Sequence, residues 1–170
     1  MIYQINTINE VADRLHHAHK KIILVTGFFD LLHQEHINFL RAAKKAGDIL
    51  IVAVESDERA RILKGEGRPV ETQLIRCQKI SNLTLTDLQI NGSTDSRHLV
   101  DYIISLDESF NNPAAFESLI AAVKPTYLAV SSHTAHQDKK AALVEKYGGS
   151  LKIVHTHNPA VSTTNIINQL

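Results

Sequence analysis

The residues best placed for chemistry form one run, Val25-Thr26-Gly27-Phe28-Phe29-Asp30-Leu31-Leu32-His33-Gln34-Glu35-His36. It continues the apolar stretch Ile22-Ile23-Leu24-Val25 and reads as a buried strand, a tight turn at Gly27 and the opening of a helix. His33 and His36 stand three residues apart, so a first helical turn brings both imidazoles to one side. Backbone N–H groups without helical partners and the positive end of the helix dipole lie there too. That combination suits an anion, and a phosphate chain in particular.

Two further segments carry compatible chemistry. Arg61-Ile62-Leu63-Lys64-Gly65-Glu66-Gly67-Arg68-Pro69-Val70 sets three cations around two glycines. Val161-Ser162-Thr163-Thr164-Asn165-Ile166-Ile167 places three hydroxyls at a helix start, where they cap amides or donate to phosphate oxygens. Each of the three segments follows an expected strand, so an alternating fold would gather them at one sheet edge.

The elements that must do this gathering are legible as periodicity. Helical spacing runs over Ile8–His19, from Phe29 to about Ala46 with a stop at Gly47-Asp48, and over Leu74–Leu83, Pro113–Val123, Asp138–Tyr147 and Thr163–Leu170. Continuous apolar runs at Ile22–Val25 and Ile49–Val54, and shorter ones at Tyr102–Leu106, Tyr127–Val130 and Leu151–His155, read as strands. Glu58–Pro69 reads as a loop or a short helix plus loop, and the polar stretch Thr84–Arg97 as an insertion. Strands alternating with helices imply parallel pairing and right-handed crossovers. The expected fold is a single α/β domain over 1–170, with a Rossmann-like open, mostly parallel sheet and helices on both faces. Ligands of such sheets bind beyond the carboxyl ends of the strands, where Gly27–His36 falls.

Composition narrows the class. Eighteen basic residues balance eighteen acidic ones, so no bulk positive charge favours nucleic acid. Hydrophobic residues make up 44% of 170, enough for one real core and too few residues for two ordinary ones. The single cysteine, Cys77, excludes an internal disulfide and fits a reducing compartment. The first residues lack a signal-peptide pattern, and no apolar run reaches membrane-spanning length. A soluble cytoplasmic protein without membrane or nucleic-acid partners is expected. Ten histidines invite a metal hypothesis, yet no cysteine pairs with them and no H-E-x-x-H helix occurs, so a structural zinc site is not expected. His16, His17 and His19 read as solvent-facing.

Taken together and in order, the three segments resemble the cytidylyltransferase-like family of nucleotidyltransferases, and most of all the adenylyltransferase domain of bacterial enzymes that make ADP-heptose. The family pattern G-x-F-D-L-L-H-x-G-H, then L-K-G-x-G-R-P, then S-T-T-N-I-I is matched from Gly27, Leu63 and Ser162 onward. The resemblance implies transfer of a nucleoside monophosphate, AMP rather than CMP, from a nucleoside triphosphate to a small phosphorylated metabolite. It implies that His33 and His36 donate to triphosphate oxygens beside the amides of Gly27, Phe28 and Phe29. Lys64 and Arg68 would hold the attacking phosphate or the departing pyrophosphate, and Ser162, Thr163 and Thr164 the β- and γ-phosphates. Mg²⁺ would neutralise part of the charge. Asp30 would orient the loop or a histidine, and a homodimer is the family's usual assembly.

Three positions depart from the family pattern. Glu35 replaces the glycine of H-x-G-H, Val130-Ser131-Ser132-His133 replaces a K-G-G-D stretch, and Ile75-Arg76 keeps only the arginine of an acidic–arginine pair. A carboxylate beside a triphosphate repels it unless it turns elsewhere, which gives the alternative: a nucleotide-binding module of the same fold that has lost catalysis. Each motif also has a plain explanation by itself, a polar helix start for the histidines, a solvated loop for the cations and an N-cap for the hydroxyls.

Overall fold

Ile22, Leu24, Ile51 and Ala53 alternate with Ile23, Leu50, Val52 and Val54, and both sets are fully buried. A strand apolar at both parities needs a layer on each face, and helices supply it. A computed structural model describes residues 2–85 and 97–156. Its strands are β1 (Ile2–Tyr3), β2 (Ile22–Gly27), β3 (Ile49–Val54), β4 (Tyr102–Ser105), β5 (Tyr127–Ser131) and β6 (Ser150–His155). Its helices are α1 (Ile5–His17), α2 (Gln34–Lys44), α3 (Asp57–Lys64), α4 (Gln73–Ser81), α5 (Pro113–Val123) and α6 (Gln137–Lys146).

The strands form one sheet in the order β1-β4-β3-β2-β5-β6, with every pairing parallel. The α/β expectation is met, and more strictly than "mostly parallel" required. Ile22, Leu24 and Leu128 pack with Ile8 and Val11 of α1, Leu119 and Ile120 of α5 and Val144 of α6. On the opposite face Ile23, Val25 and Val52 pack with Leu40 and Ala43 of α2 and Cys77 and Ile80 of α4. The chain leaves β2 toward β3 on one side and returns to β5 on the other, so a crevice opens beyond their carboxyl ends.

Several boundaries differ from the periodicity. The two-residue β1 is too short to show a pattern and exists through its pairing with Ile103 and Ile104. Helix α1 starts at Ile5 rather than Ile8, because Thr7 Oγ1 accepts from the Gln4 N–H at 3.1 Å and holds the first turn. Helix α2 starts only at Gln34, which leaves residues 30–33 as a non-helical approach. Ser56 Oγ accepts from the Arg59 N–H at 3.1 Å and makes Asp57–Lys64 a capped helix followed by a loop. Gly47 does more than end α2, since a Cβ there would sit 2.6 Å from Ile23 Cδ1 and 2.8 Å from the Lys21 carbonyl oxygen. His16 is not solvent-facing, because its Nε2 lies 3.1 Å from the Val123 carbonyl oxygen and joins α1 to α5. The helix expected over 163–170 and most of the insertion lie outside the described residues.

Candidate functional site

Beyond the carboxyl ends of β2, β5 and β6 lies a cavity of about 470 Å³. Gly27, Phe28, Phe29, His33 and His36 line it together with Lys64 and Arg68 from the segment after β3. Two separated motifs therefore meet at one place. Ser162, Thr163 and Thr164 lie outside the described residues.

The loop after β2 is held in an unusual path. A Cβ on Gly27 would come 3.0 Å from the Phe29 ring, so a larger residue would press that ring away from the strand end. Phe29 (φ 54°) and Leu31 (φ 48°) both adopt left-handed backbone. That conformation costs roughly 1–2 kcal/mol for each such residue, so the neighbours must over-determine it. Asp30 does so from between them. It is 3% exposed and accepts hydrogen bonds from Arg68 Nε at 3.0 Å and from the N–H groups of Val70 and Glu71 at 3.1 Å each. Arg68, expected to face a phosphate, thus gives its Nε to Asp30 while still lining the cavity.

Arg76 completes the frame. Fully buried in α4, it donates to the carbonyl oxygens of Phe28, of Glu55 at 2.9 Å and of Glu71 at 3.0 Å, and to Asp57 Oδ1 at 2.6 Å. One guanidinium so ties the loop after β2 to the end of β3, the start of α3 and the approach to α4. The sequence did carry a signal for it. Arg76 stands in the stripe of Cys77 and Ile80, where only apolar or fully partnered side chains belong.

His33 occupies the N-cap of α2 and His36 its first turn, and their rings stack with centroids 3.8 Å apart and planes 22° apart. The Phe29 ring meets His36 edge-on at 5.4 Å. The His33 side chain makes no capping bond to the first-turn amides of α2. Burial lowers the pKa of His33, and burial with the neighbouring His33 lowers that of His36 to about 3. Both rings are therefore neutral at pH 7. Each Nδ1 is buried without a hydrogen-bond partner among the described residues. A shielded lone pair costs less than a shielded N–H, which favours the tautomer protonated at Nε2.

The neutral His36 makes acid stability testable. Unfolded, it takes up a proton near pH 6.5; folded, it waits until about pH 3. The unfolded state binds the extra proton throughout that window, so stability falls as pH drops below 6.5. Between pH 6.5 and pH 5 the expected loss is about 2 kcal/mol. Urea midpoints across this range should show it for the native chain and show a flatter slope for His36→Ala.

Glu35, in the glycine position of the family pattern, lines the cavity but is bound from both sides. His155 Nε2 lies 3.0 Å from its Oε2, and Asn38 Nδ2 donates to its Oε1 at 3.2 Å. The His155 bond, more than any other influence, holds its carboxyl below the usual carboxylate range. The carboxylate is thereby turned onto β6. The loop that departs from K-G-G-D contributes Ser131, whose Oγ lies 2.7 Å from His133 Nδ1. Sequence reasoning missed Lys140 of α6, which also lines the cavity. Among the described residues no group of three His, Cys, Asp or Glu side chains could hold a metal ion, and no helix is long and apolar enough to cross a membrane.

A family model described as cytidylyltransferase-like matches residues 24–169. The chain is 35% identical over 164 residues to the bifunctional protein HldE of Desulfatibacillum aliphaticivorans, covering 96% of this chain and 29% of that one. It is 34% identical over 152 residues to the bifunctional protein HldE of Proteus mirabilis, covering 89% of this chain and 28% of that one. The chain thus spans less than a third of the length of these curated relatives. Among solved structures, the lipopolysaccharide core biosynthesis protein from Thermoplasma volcanium matches with a TM-score of 0.58 and 26% identity, over 82% of this chain and 98% of that one. The family anticipated from the three motifs together is the one matched along most of the length, and this protein belongs to the cytidylyltransferase-like family.

Proposed function

We propose that this protein transfers a nucleoside monophosphate, AMP in preference to CMP, from a nucleoside triphosphate to the phosphate of a small sugar-phosphate-type metabolite, releasing pyrophosphate. The observation that carries this reading is the stacked, neutral His33–His36 pair beside the Gly27–Phe29 turn, at the crevice between β2 and β5. An oxygen of the acceptor phosphate attacks the α-phosphorus, a new P–O–P bond forms, and the bond from the α-phosphorus to the bridging oxygen of the β-phosphate breaks. An acceptor phosphate that is already a dianion needs no base. The histidines accordingly serve as N–H donors to the charge that grows on the non-bridging oxygens.

The amides at the start of α2 and of the Gly27–Phe29 turn add fixed dipoles of the same sign. Lys64, exposed at the end of α3, faces the cavity with its ammonium 6.0 Å from the Phe28 ring centroid and suits the departing pyrophosphate. Asp30 and Glu35 have their oxygens engaged by protein donors. The site therefore fits Mg²⁺ carried on phosphate oxygens rather than held in a protein cage, supplying charge neutralisation. The adenylyl preference follows from the resemblance to adenylyltransferase domains and from Ser162–Ile167, which lacks the basic end common in cytidylyltransferases.

A thermal-shift titration with ATP and with CTP, each with and without Mg²⁺, tests the reading. A saturable rise with ATP, followed by pyrophosphate release that requires a sugar phosphate as well, is the expected result. No rise with either nucleotide at millimolar concentration overturns it. A rise without pyrophosphate release from any sugar phosphate would favour the nucleotide-binding module.

A further inference from the structure

A second cavity of about 480 Å³ lies beside the first, between α3, the loop before α5 and α6. Each is large enough for one small ligand. Phe110 and Phe116 contribute aromatic surface to the second, and Arg59, Asn111 and Asn112 contribute polar groups. Lys140 lines both cavities.

Lys140 is half-buried, and its ammonium lies 5.9 Å from the Phe116 ring centroid. It makes no side-chain hydrogen bond or ion pair with any described residue. The carboxylates around it are engaged by other groups: Glu55 by Arg59 Nε at 2.5 Å, and Glu117, which also lines the second cavity, by Lys146 Nζ at 2.5 Å and Tyr147 Oη at 2.9 Å. A partly desolvated cation without a bonded anion is costly, and the described residues offer it none. Burial accordingly pushes the Lys140 pKa down, with Glu55 opposing and Arg59 adding to the effect. The remaining polar groups are apportioned unevenly. Asn112 caps α5 through Oδ1, which accepts from the Ala115 N–H at 3.0 Å, and its Nδ2 donates to Asn111 Oδ1 at 3.1 Å. The Asn111 amide group is left to donate elsewhere. On the β5 side, Val130-Ser131-Ser132-His133 brings no lysine to the first cavity, so Lys140 is the ammonium that α6 supplies there.

Building on the nucleotidyl-transfer reading, we propose that the second cavity is the acceptor subsite. Lys140 holds the acceptor's phosphomonoester where the two cavities meet, and Phe110, Phe116 and Asn111 receive its hydroxylated carbon body. The attacking oxygen is then presented from the α6 side to the α-phosphorus held beside His33 and His36. The ligand class is a phosphomonoester of a compact sugar or polyol.

Two substitutions separate charge from packing. Lys140→Met keeps an unbranched stem over Phe116 and removes the charge, whereas Lys140→Arg keeps a cation. Amide NMR titration of the whole chain with heptose 1-phosphate, glucose 1-phosphate and glycerol 3-phosphate reads binding without turnover. At least one should shift the signals of Phe110–Phe116 and Lys140 in the native protein. Its affinity should fall about 10- to 100-fold in Lys140→Met, as expected for loss of a hydrogen bond to a charged group, and largely return in Lys140→Arg. ATP affinity should stay within about twofold, so that in turnover the acceptor KM rises while the ATP dissociation constant holds. Shifts confined to Gly27–His36, equal affinity in Lys140→Met, weakened ATP binding in that variant, or no binding of any of the three overturns the proposal. The nucleotide reading fails separately, if native protein gives no thermal shift with ATP. Phosphomonoester shifts at Phe110–Phe116 that depend on Lys140 would then still support the subsite.

Discussion

On the proposed nucleotidyl transfer, alanine at position 36 should lower kcat/KM by about 10²–10³, the usual cost of removing one preorganised donor to transition-state charge, while the fold should lose less than about 2 kcal/mol. The two effects separate because of how the ring is held. His36 makes no hydrogen bond to any described residue, and its Nδ1 is buried without a partner. Truncation therefore removes ring contacts with His33 and Phe29 but breaks no polar anchor. The loop path survives, since Asp30 and Arg76 set it. What disappears is a neutral N–H donor beside the first turn of α2. Pyrophosphate release and urea unfolding measured on the same preparation decide the matter. Full activity removes the role, and activity falling only in step with stability makes His36 a packing residue.

Methionine at position 76 should produce the largest loss of stability of any single change in the site's surroundings, about 3–5 kcal/mol, the range for breaking a buried charged network. The side chain is fully buried and donates to three carbonyl oxygens and to Asp57. Methionine fills similar space and satisfies none of them. For a domain of this size the loss corresponds to a fall in Tm of about 10 °C. Lysine should rescue poorly, because one ammonium cannot reproduce a planar fork aimed at separate backbone segments. A drop of less than about 1 kcal/mol on denaturant unfolding would mean that water or neighbouring groups satisfy the freed carbonyls. Binding of nucleotide is expected to weaken in the same variant, because the Phe28 carbonyl and hence the Gly27–Phe29 turn lose their anchor.

The local sequence was most readable where a single element carried the pattern. Ile22–Val25 and Ile49–Val54 are apolar at both parities, and that alone requires a sheet covered on both faces. Glu58–Pro69 reads either as a loop or as a short helix plus loop because it is charged and carries two glycines and a proline, and the cap at Ser56 settles its first part as helix. Asp30 reads as secondary because an aspartate after Phe29 has no periodic meaning, and its donors Arg68, Val70 and Glu71 come from about forty residues downstream.

Glu35 shows the same boundary from the other direction. In the linear pattern it is a carboxylate in a glycine's place beside expected phosphate, and only Asn38, one helical turn on, is near enough in sequence to engage it. In the fold His155 reaches it across 120 positions, because β6 pairs with β5 and ends beside the start of α2. Lys140 likewise belongs to α6 in sequence and to the cavity wall in space. By itself, then, the sequence determined the alternating strands and helices and the parallel sheet through periodicity, and the family through three short motifs, and it named Gly27–His36, Lys64 and Arg68 as candidates that the fold brings to one cavity, since periodicity and short motifs are local properties. Only the tertiary structure decided the neutrality of the histidines, the restraint of Glu35 by His155, the buried hub at Arg76 and the position of Lys140 between two cavities. Burial and long-range hydrogen bonds arise from packing, which no local pattern encodes.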